Sequence, residues 1–137
     1  MEMIVDTNNG IYNWVRKHLP EVNGFPDLCF GWKDRNMVCG VVVEKRDDEA
    51  HVSVYAKNPK WCTKKNLTLM ADSCYKILKA KKICCLTSET NARVNKFLDG
   101  LGLNRDGKQT ISGKEWLVWS LLPEMLKEQK WYKGRHG

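Results

Sequence analysis

A chain of 137 residues with 42% hydrophobic and 28% charged residues has the size of one ordinary domain, able to bury its apolar surface without disulfides or metals. No stretch approaches the roughly 18 apolar residues of a membrane span, and residues 1–9 lack the basic start and apolar run of a signal peptide. The six cysteines, at positions 29, 39, 62, 74, 84 and 85, form no C-x-x-C pair and read as small buried hydrophobes of a reducing cytoplasm. The net charge of +7 is unevenly placed: residues 1–60 hold 8 Lys/Arg against 9 Asp/Glu, and residues 61–137 hold 15 against 7. Such a basic half favours a phosphate-bearing ligand, nucleic acid or an acidic surface, or is simply a solvated face.

In chain order, Met3-Ile4-Val5 reads as a short strand, and Asn8 or Asn9 caps a helix whose Ile11, Trp14, Val15 and Leu19 share one face until Pro20 stops it. Asn23 to Asp27 is a loop. Leu28 to Trp32 and Met37 to Val43 form a hairpin through Lys33 to Asn36, and a turn at Arg46 to Glu49 returns the chain into the strand His51 to Ala56. After the loop Lys57 to Cys62, a helix from about Thr63 to Ala80 carries Leu67, Met70, Ala71, Cys74 and Leu78 at helical spacing. Ile83 to Thr87 is too short for a helix and reads as a buried strand. Thr90 or Asn91 caps the next helix, with Val94, Phe97, Leu98 and Leu101 on its apolar face and Gly102 at its end. A hairpin of Asn104 to Thr110 with Trp116 to Leu122 follows, then a short helix from Pro123 and a frayed basic tail. The order predicts a single domain with a mixed, mostly antiparallel α/β sheet of six to seven strands. A central parallel strand-helix-strand crossover joins its halves, and helices cover both faces.

The pattern Asn91-x-x-x-x-x-Phe97-Leu98-x-x-Leu101-Gly102-Leu103, followed by the hairpin ending in Trp116-Leu117-Val118-Trp119-Ser120-Leu121, resembles the C-terminal half of the GNAT superfamily of acyl-CoA N-acyltransferases. It is particularly similar to short GNAT-like proteins of bacteriophages. Those often carry a Trp-x-Thr-basic-basic stretch before the long helix, as in Trp61-Cys62-Thr63-Lys64-Lys65, and a basic-Trp ending, as in Lys130-Trp131. The resemblance spans residues 28–131. It implies acetyl-CoA as cofactor, held in a gap where the His51 to Ala56 and Ile83 to Thr87 strands splay apart. Its pyrophosphate would lie at the start of the intervening helix, where free N–H groups and the dipole attract anions. The acceptor would be an amine on a small molecule, a protein lysine or a protein N-terminus.

Carried over residue by residue, the resemblance puts Thr63, Lys64 and Lys65 at the phosphates, Val54, Tyr55 and Ala56 along the thioester, and Asn91 on the pantetheine arm. The family's glycines are missing from the Trp61 to Asn66 loop, so hydroxyl and ammonium groups replace part of the backbone approach. The same residues also read as a threonine cap with two solvated lysines, and Asn91 also reads as a plain helix cap. Leu98 stands where many members have a tyrosine that protonates the departing thiolate, a step leucine cannot perform. For the base, His51 is the nearest counterpart of the family's strand glutamate, with Tyr55 along the same face. Zinc is disfavoured by the cysteine spacings and the scattered histidines, and neither Cys84 nor Cys85 has a histidine partner in sequence. Nucleic acid is not favoured, since Trp61 and Trp131 alone are expected to be exposed aromatics while Trp14, Trp116 and Trp119 belong to the core. The erosion of both chemistry-bearing motifs leaves open a scaffold without catalysis, serving as a virion component or a host-protein-binding module.

Overall fold

The computed structural model describes residues 1–5, 9–22 and 24–132. Asn8 as a cap and the tail 133–137 lie outside the described residues. Seven strands form one sheet in the order β1-β2-β3-β4-β5-β7-β6, comprising β1 (Glu2–Val5), β2 (Leu28–Asp34), β3 (Asn36–Arg46), β4 (Glu49–Ala56), β5 (Lys82–Ser88), β6 (Asn104–Ile111) and β7 (Lys114–Leu121). Every pairing is antiparallel except that of β4 with β5. The β2–β3 hairpin is tighter than the sequence suggests, and the β6–β7 turn falls at Ser112-Gly113, where the sequence puts it. Arg35 (φ 69°) alone turns β2 into β3, while Ser112 and Gly113, both at positive φ, turn β6 into β7 as a right-twisted pair of strands requires.

Strand alternation divides the core in two. Ala50, Val52, Val54 and Ala56 of β4 face one side, where they pack with Leu67, Ala71 and Cys74 of the crossover helix. Tyr55 faces the other side with Ile11, Tyr12 and Val15 of α1 (Gly10–His18). Helix α1 begins at Asn9, which adopts a left-handed conformation and makes no side-chain cap. It ends before Pro20, as the ring requires.

The crossover helix is shorter than its hydrophobic pattern predicts. Regular α2 covers Lys64–Asp72, and Ser73–Ile77 widens into a π-type turn in which Leu78 N–H donates to Ser73 O at 3.1 Å. The Ser73 hydroxyl donates to Leu69 O at 2.7 Å, adding a competing bond inside the helical ladder. Ala80 is buried where the chain drops into β5.

Helix α3 (Ala92–Gly100) departs from expectation in another way. None of its residues is fully buried, and Phe97 of its apolar face is exposed. The last turn, α4 (Pro123–Leu126), and the segment after it tie the two helices together. The Thr68 hydroxyl donates to Trp131 O at 3.3 Å, Trp131 Nε1 donates to Leu101 O at 3.0 Å, and the Tyr132 hydroxyl donates to Asp72 Oδ1 at 2.6 Å. No described helix is long and apolar enough to cross a membrane.

Candidate active site

The parallel pairing of β4 with β5 is brief. It joins Glu49 to Lys82, Ala50 to Ile83 and His51 to Cys84, and then stops. Beyond His51, β4 stays bound to β3 as far as Cys39 opposite Ala56, while β5 stays bound to β7 as far as Ser88 opposite Trp116. Each strand is held by its outer neighbour, so the sheet opens as a V between them. Lys57 N–H donates to Val38 O at 2.8 Å and continues the β3–β4 ladder. By alternation, the amides of Tyr55 and Ser53 also face β3, whereas those of Val52, Val54 and Ala56 point into the V. Of the three backbone positions expected along the thioester, Val54 and Ala56 therefore offer N–H groups to the gap. Tyr55 does not.

On the α2 side, Asn58 Oδ1 accepts from Lys60 N–H at 3.0 Å to open a single 3-10 turn, Pro59–Trp61. Thr63 then caps α2, its Oγ1 accepting from Asn66 N–H at 3.1 Å, and the Asn66 side chain donates to Trp61 O at 2.6 Å. With its acceptor role used in the cap, the Thr63 hydroxyl keeps its proton for a donor bond. Lys64 and Lys65 are exposed in the first turn, where the helix leaves backbone N–H groups without intrahelical partners. Trp61, expected on the surface, is only 7% exposed and stacks on Trp32 with centroids 5.6 Å apart. Trp131 is half-buried. Neither serves as a free stacking platform, which removes the aromatic support for a nucleic-acid surface.

Asn91 is the cap of α3, its side chain accepting from Val94 N–H at 3.3 Å. A second asparagine, not singled out by sequence, is held more firmly. Trp119 Nε1 donates to Thr87 Oγ1 at 2.9 Å, Thr87 donates to Asn95 Oδ1, and Asn95 Nδ2 donates to Ser88 O at 3.1 Å. This relay ties the free end of β5 to α3. Its only sequence signal is the i, i+4 spacing from Asn91.

A cleft of about 520 Å³ is lined by His18, Leu19, Pro20 and Glu21 at the end of α1 and by Ile111, Ser112, Lys114 and Trp116 of the β6–β7 hairpin. His18 lies flat on Tyr55 of the β4 wall, and Trp116 is the partner of Ser88 on the β5 wall. Each side of the cleft thus touches one arm of the V. Trp116, expected in the core, is half-buried, and its Nε1 is buried without a hydrogen-bond partner among the described residues. Lys114 Nζ stands 4.7 Å over its ring.

His51 marks the apex. Its imidazole is about one-third exposed, and Nε2 lies 3.5 Å from Glu49 Oε1. Cys84, which has no histidine partner in sequence, has one in space, since His51 is its cross-strand partner. Burial, followed by the Glu49 charge, pushes the Cys84 thiol up, and burial pushes Cys85 up to about 12, so both are held as thiols.

The chain is similar to the spermidine/spermine N-acetyltransferase SpeG of Vibrio cholerae, in mutant form, with a TM-score of 0.68 at 11% identity over 91% of this chain and 96% of that one. It is also similar to a ribosomal-protein-alanine acetyltransferase of Vibrio fischeri, with a TM-score of 0.59 at 15% identity over 81% and 67%. The fold is the GNAT fold. No family model and no curated protein matches the sequence, so the likeness is carried by the path of the backbone. The expected mixed, mostly antiparallel sheet of six to seven strands is present with seven, together with its parallel crossover and helices on both faces. His51, Tyr55, Val54 and Ala56 lie on the β4 arm, with Thr63, Lys64 and Lys65 at the α2 N-terminus and Asn91 at the α3 N-terminus.

Proposed function

We propose that the protein is an N-acetyltransferase that moves an acetyl group from acetyl-CoA directly to an amine. The observation that carries this reading is the parting of β4 and β5 after His51 and Cys84, with the Val54 and Ala56 amides turned into the gap. Acetyl-CoA enters from the α2 side, its pyrophosphate against the Thr63 hydroxyl, the first-turn amides and the Lys64 and Lys65 ammonium groups. Its pantetheine arm runs between the strands toward α3, where Asn91 is already engaged as a cap and Asn95 is fixed by Thr87. The acceptor enters from the α1 side through the cleft between His18 and Trp116.

In the step itself the amine nitrogen attacks the thioester carbonyl carbon, and the carbonyl oxygen gathers charge in front of a β4 amide fixed before the reaction begins. His51, through a water, takes the proton the amine loses. The C–S bond breaks, and the thiolate takes its proton from solvent because Leu98 has none to give. Tyr55 acts on the acceptor side as the surface on which His18 rests, rather than as a base. Calorimetric titration with acetyl-CoA, then mass analysis of polyamine, peptide and protein-lysine acceptors, tests the reading. No binding at millimolar acetyl-CoA by a folded sample overturns it.

A second reading is favoured by the glycine-free loop at 61–66 and by Leu98. In it the chain is a phage-encoded GNAT scaffold without catalysis that binds a virion or host protein. A stoichiometric partner whose capture survives blocking of the slot supports it, and an acetylated product rules it out.

A further inference from the structure

Glu49, His51 and Cys84 bring a carboxylate, an imidazole and a thiol together, with their ligand atoms all within 4.8 Å of one another. We propose that these three side chains form a binding site for a divalent transition-metal ion of zinc type. Three features of the fold build it. Glu49 and His51 are two apart on β4 and so share a face, the one opposite α2. Cys84 is the cross-strand partner of His51, in the last pair before the strands part. Both strands are also anchored on their outer sides, by β3 and β7, so the three Cα positions are fixed before any ion arrives.

The geometry suits the ion. Tetrahedral zinc with metal–ligand distances of about 2.0–2.3 Å places its ligand atoms about 3.5 Å apart. His51 Nε2 and Glu49 Oε1 already stand at 3.5 Å, and the Cys84 Sγ lies within 4.8 Å of both. The donor set selects the metal class, because a soft thiolate with an imidazole suits zinc-like ions and not magnesium or calcium, which take oxygen alone. Glu49 and His51 are 42% and 33% exposed while Cys84 is 6% exposed. The site therefore has a buried floor and an open fourth position for water.

Nearby charges leave room for a dication. Lys82 Nζ lies 3.8 Å from the other Glu49 oxygen and 3.6 Å from Asp106 Oδ2, so Lys82 and Asp106 offset each other, and Glu49 with a Cys84 thiolate neutralises the ion. Lys82 meets Glu49 through Oε2, which leaves Oε1 for the metal. Binding displaces the thiol proton of Cys84 into solvent. Resting on the transferase reading, one consequence follows. An ion on His51 Nε2 occupies the lone pair that takes the amine proton, so the site is an inhibitory one.

The probe is Co2+ added to the full-length, reduced, metal-free protein. The expected result is a thiolate-to-cobalt charge-transfer band with tetrahedral visible bands, saturating at one ion per chain and displaced by Zn2+. Cys84→Ser abolishes the charge-transfer band, Glu49→Gln weakens binding at least tenfold without disturbing the buried floor, and Cys85→Ser changes neither. No thiolate band in the parent, or a band that persists in Cys84→Ser, overturns the site and leaves the transferase reading untouched. A band accompanied by acetyl transfer that Zn2+ does not slow upholds the site and removes His51 from its place as base.

Discussion

The imidazole of His18 lies 4.1 Å from the ring of Tyr55 with the two planes 3° apart, while Trp14 meets the same tyrosine edge-on at 5.3 Å. This stack joins the last turn of α1 to the β4 arm of the split sheet, so the position of one cleft wall depends on it. Aromatic pairs of this kind contribute about 0.5–1.5 kcal/mol beyond area burial. His18→Ala should therefore leave the fold intact and acetyl-CoA affinity unchanged while raising the acceptor KM several-fold. Steady-state kinetics with each substrate varied in turn checks this. An equal loss for both substrates would mean that His18 supports the whole sheet rather than the acceptor side.

The approach of α1 to the sheet rests on Gly40, the cross-strand partner of Tyr55. A Cβ at Gly40 would stand 2.5 Å from Val15 Cγ2 and 3.1 Å from Trp14 Cε3. Val15 is fully buried and has nowhere to retreat. Gly40→Ala is expected to cost about 1–3 kcal/mol as an overpacked core does, seen as a lower urea midpoint with an unchanged slope. Because the displaced helix carries His18, acceptor KM should rise further than in the parent under the same conditions. A stability within error of the parent would show that α1 moves freely over β3.

The order of strands and helices was legible because each element buries a periodic face. The parallel crossover followed from a strand, a long amphipathic helix and a second strand in succession. What periodicity does not carry is contact between residues distant in sequence. His18 and Tyr55, Glu49 and Cys84, and Trp116 beside the α1 terminus meet through the sheet register, which no local pattern encodes. Trp61 sits in a polar loop beside Pro59 and Lys60 and reads as exposed, yet Trp32 gives it a ring to stack on, and burial of that area outweighs the loop's polarity. Asn95 drew no notice in the sequence because its partners, Thr87 and Ser88, lie on the preceding strand. The shortened α2 has a local cause visible afterwards, in the Ser73 hydroxyl bonded back to Leu69 O.

Alkaline pH should destabilise the fold through its buried thiols. Cys74 has no exposed surface, and burial raises its pKa from 9.0 to about 12. Between those values the unfolded chain has lost the thiol proton while the native chain keeps it, so stability is full below about pH 9 and falls as pH rises. The slope for one such group approaches 1.4 kcal/mol per pH unit, roughly the free energy of one pKa unit. Tyr75, whose hydroxyl donates to Leu121 O and is likewise held up by burial, acts in the same direction. Urea unfolding from pH 8 to 11 should show this fall, and Cys74→Ala should show a shallower one. Equal slopes for the two proteins would place the alkaline loss elsewhere.

The α2 N-terminus offers the most direct test of where a cofactor is held. With no glycine between Trp61 and Asn66, backbone cannot come as close to a pyrophosphate as a bare loop would, so the exposed Lys64 and Lys65 ammonium groups must contribute a larger share of the attraction. Exposed charge contacts weaken as the screening length falls from about 10 Å at 0.1 M salt to about 3 Å at 1 M, whereas amide contacts from Val54 and Ala56 inside the V are screened less. Lys64→Ala combined with Lys65→Ala is expected to weaken coenzyme A binding about tenfold, or about 1.4 kcal/mol. It should also flatten the dependence of affinity on salt. Since both side chains are exposed and the Thr63 cap is untouched, thermal stability should not change. Titration of parent and double variant across a salt series decides the matter. Parallel curves of equal affinity would make the two lysines a solvated first turn and move the phosphate contacts to another part of the chain.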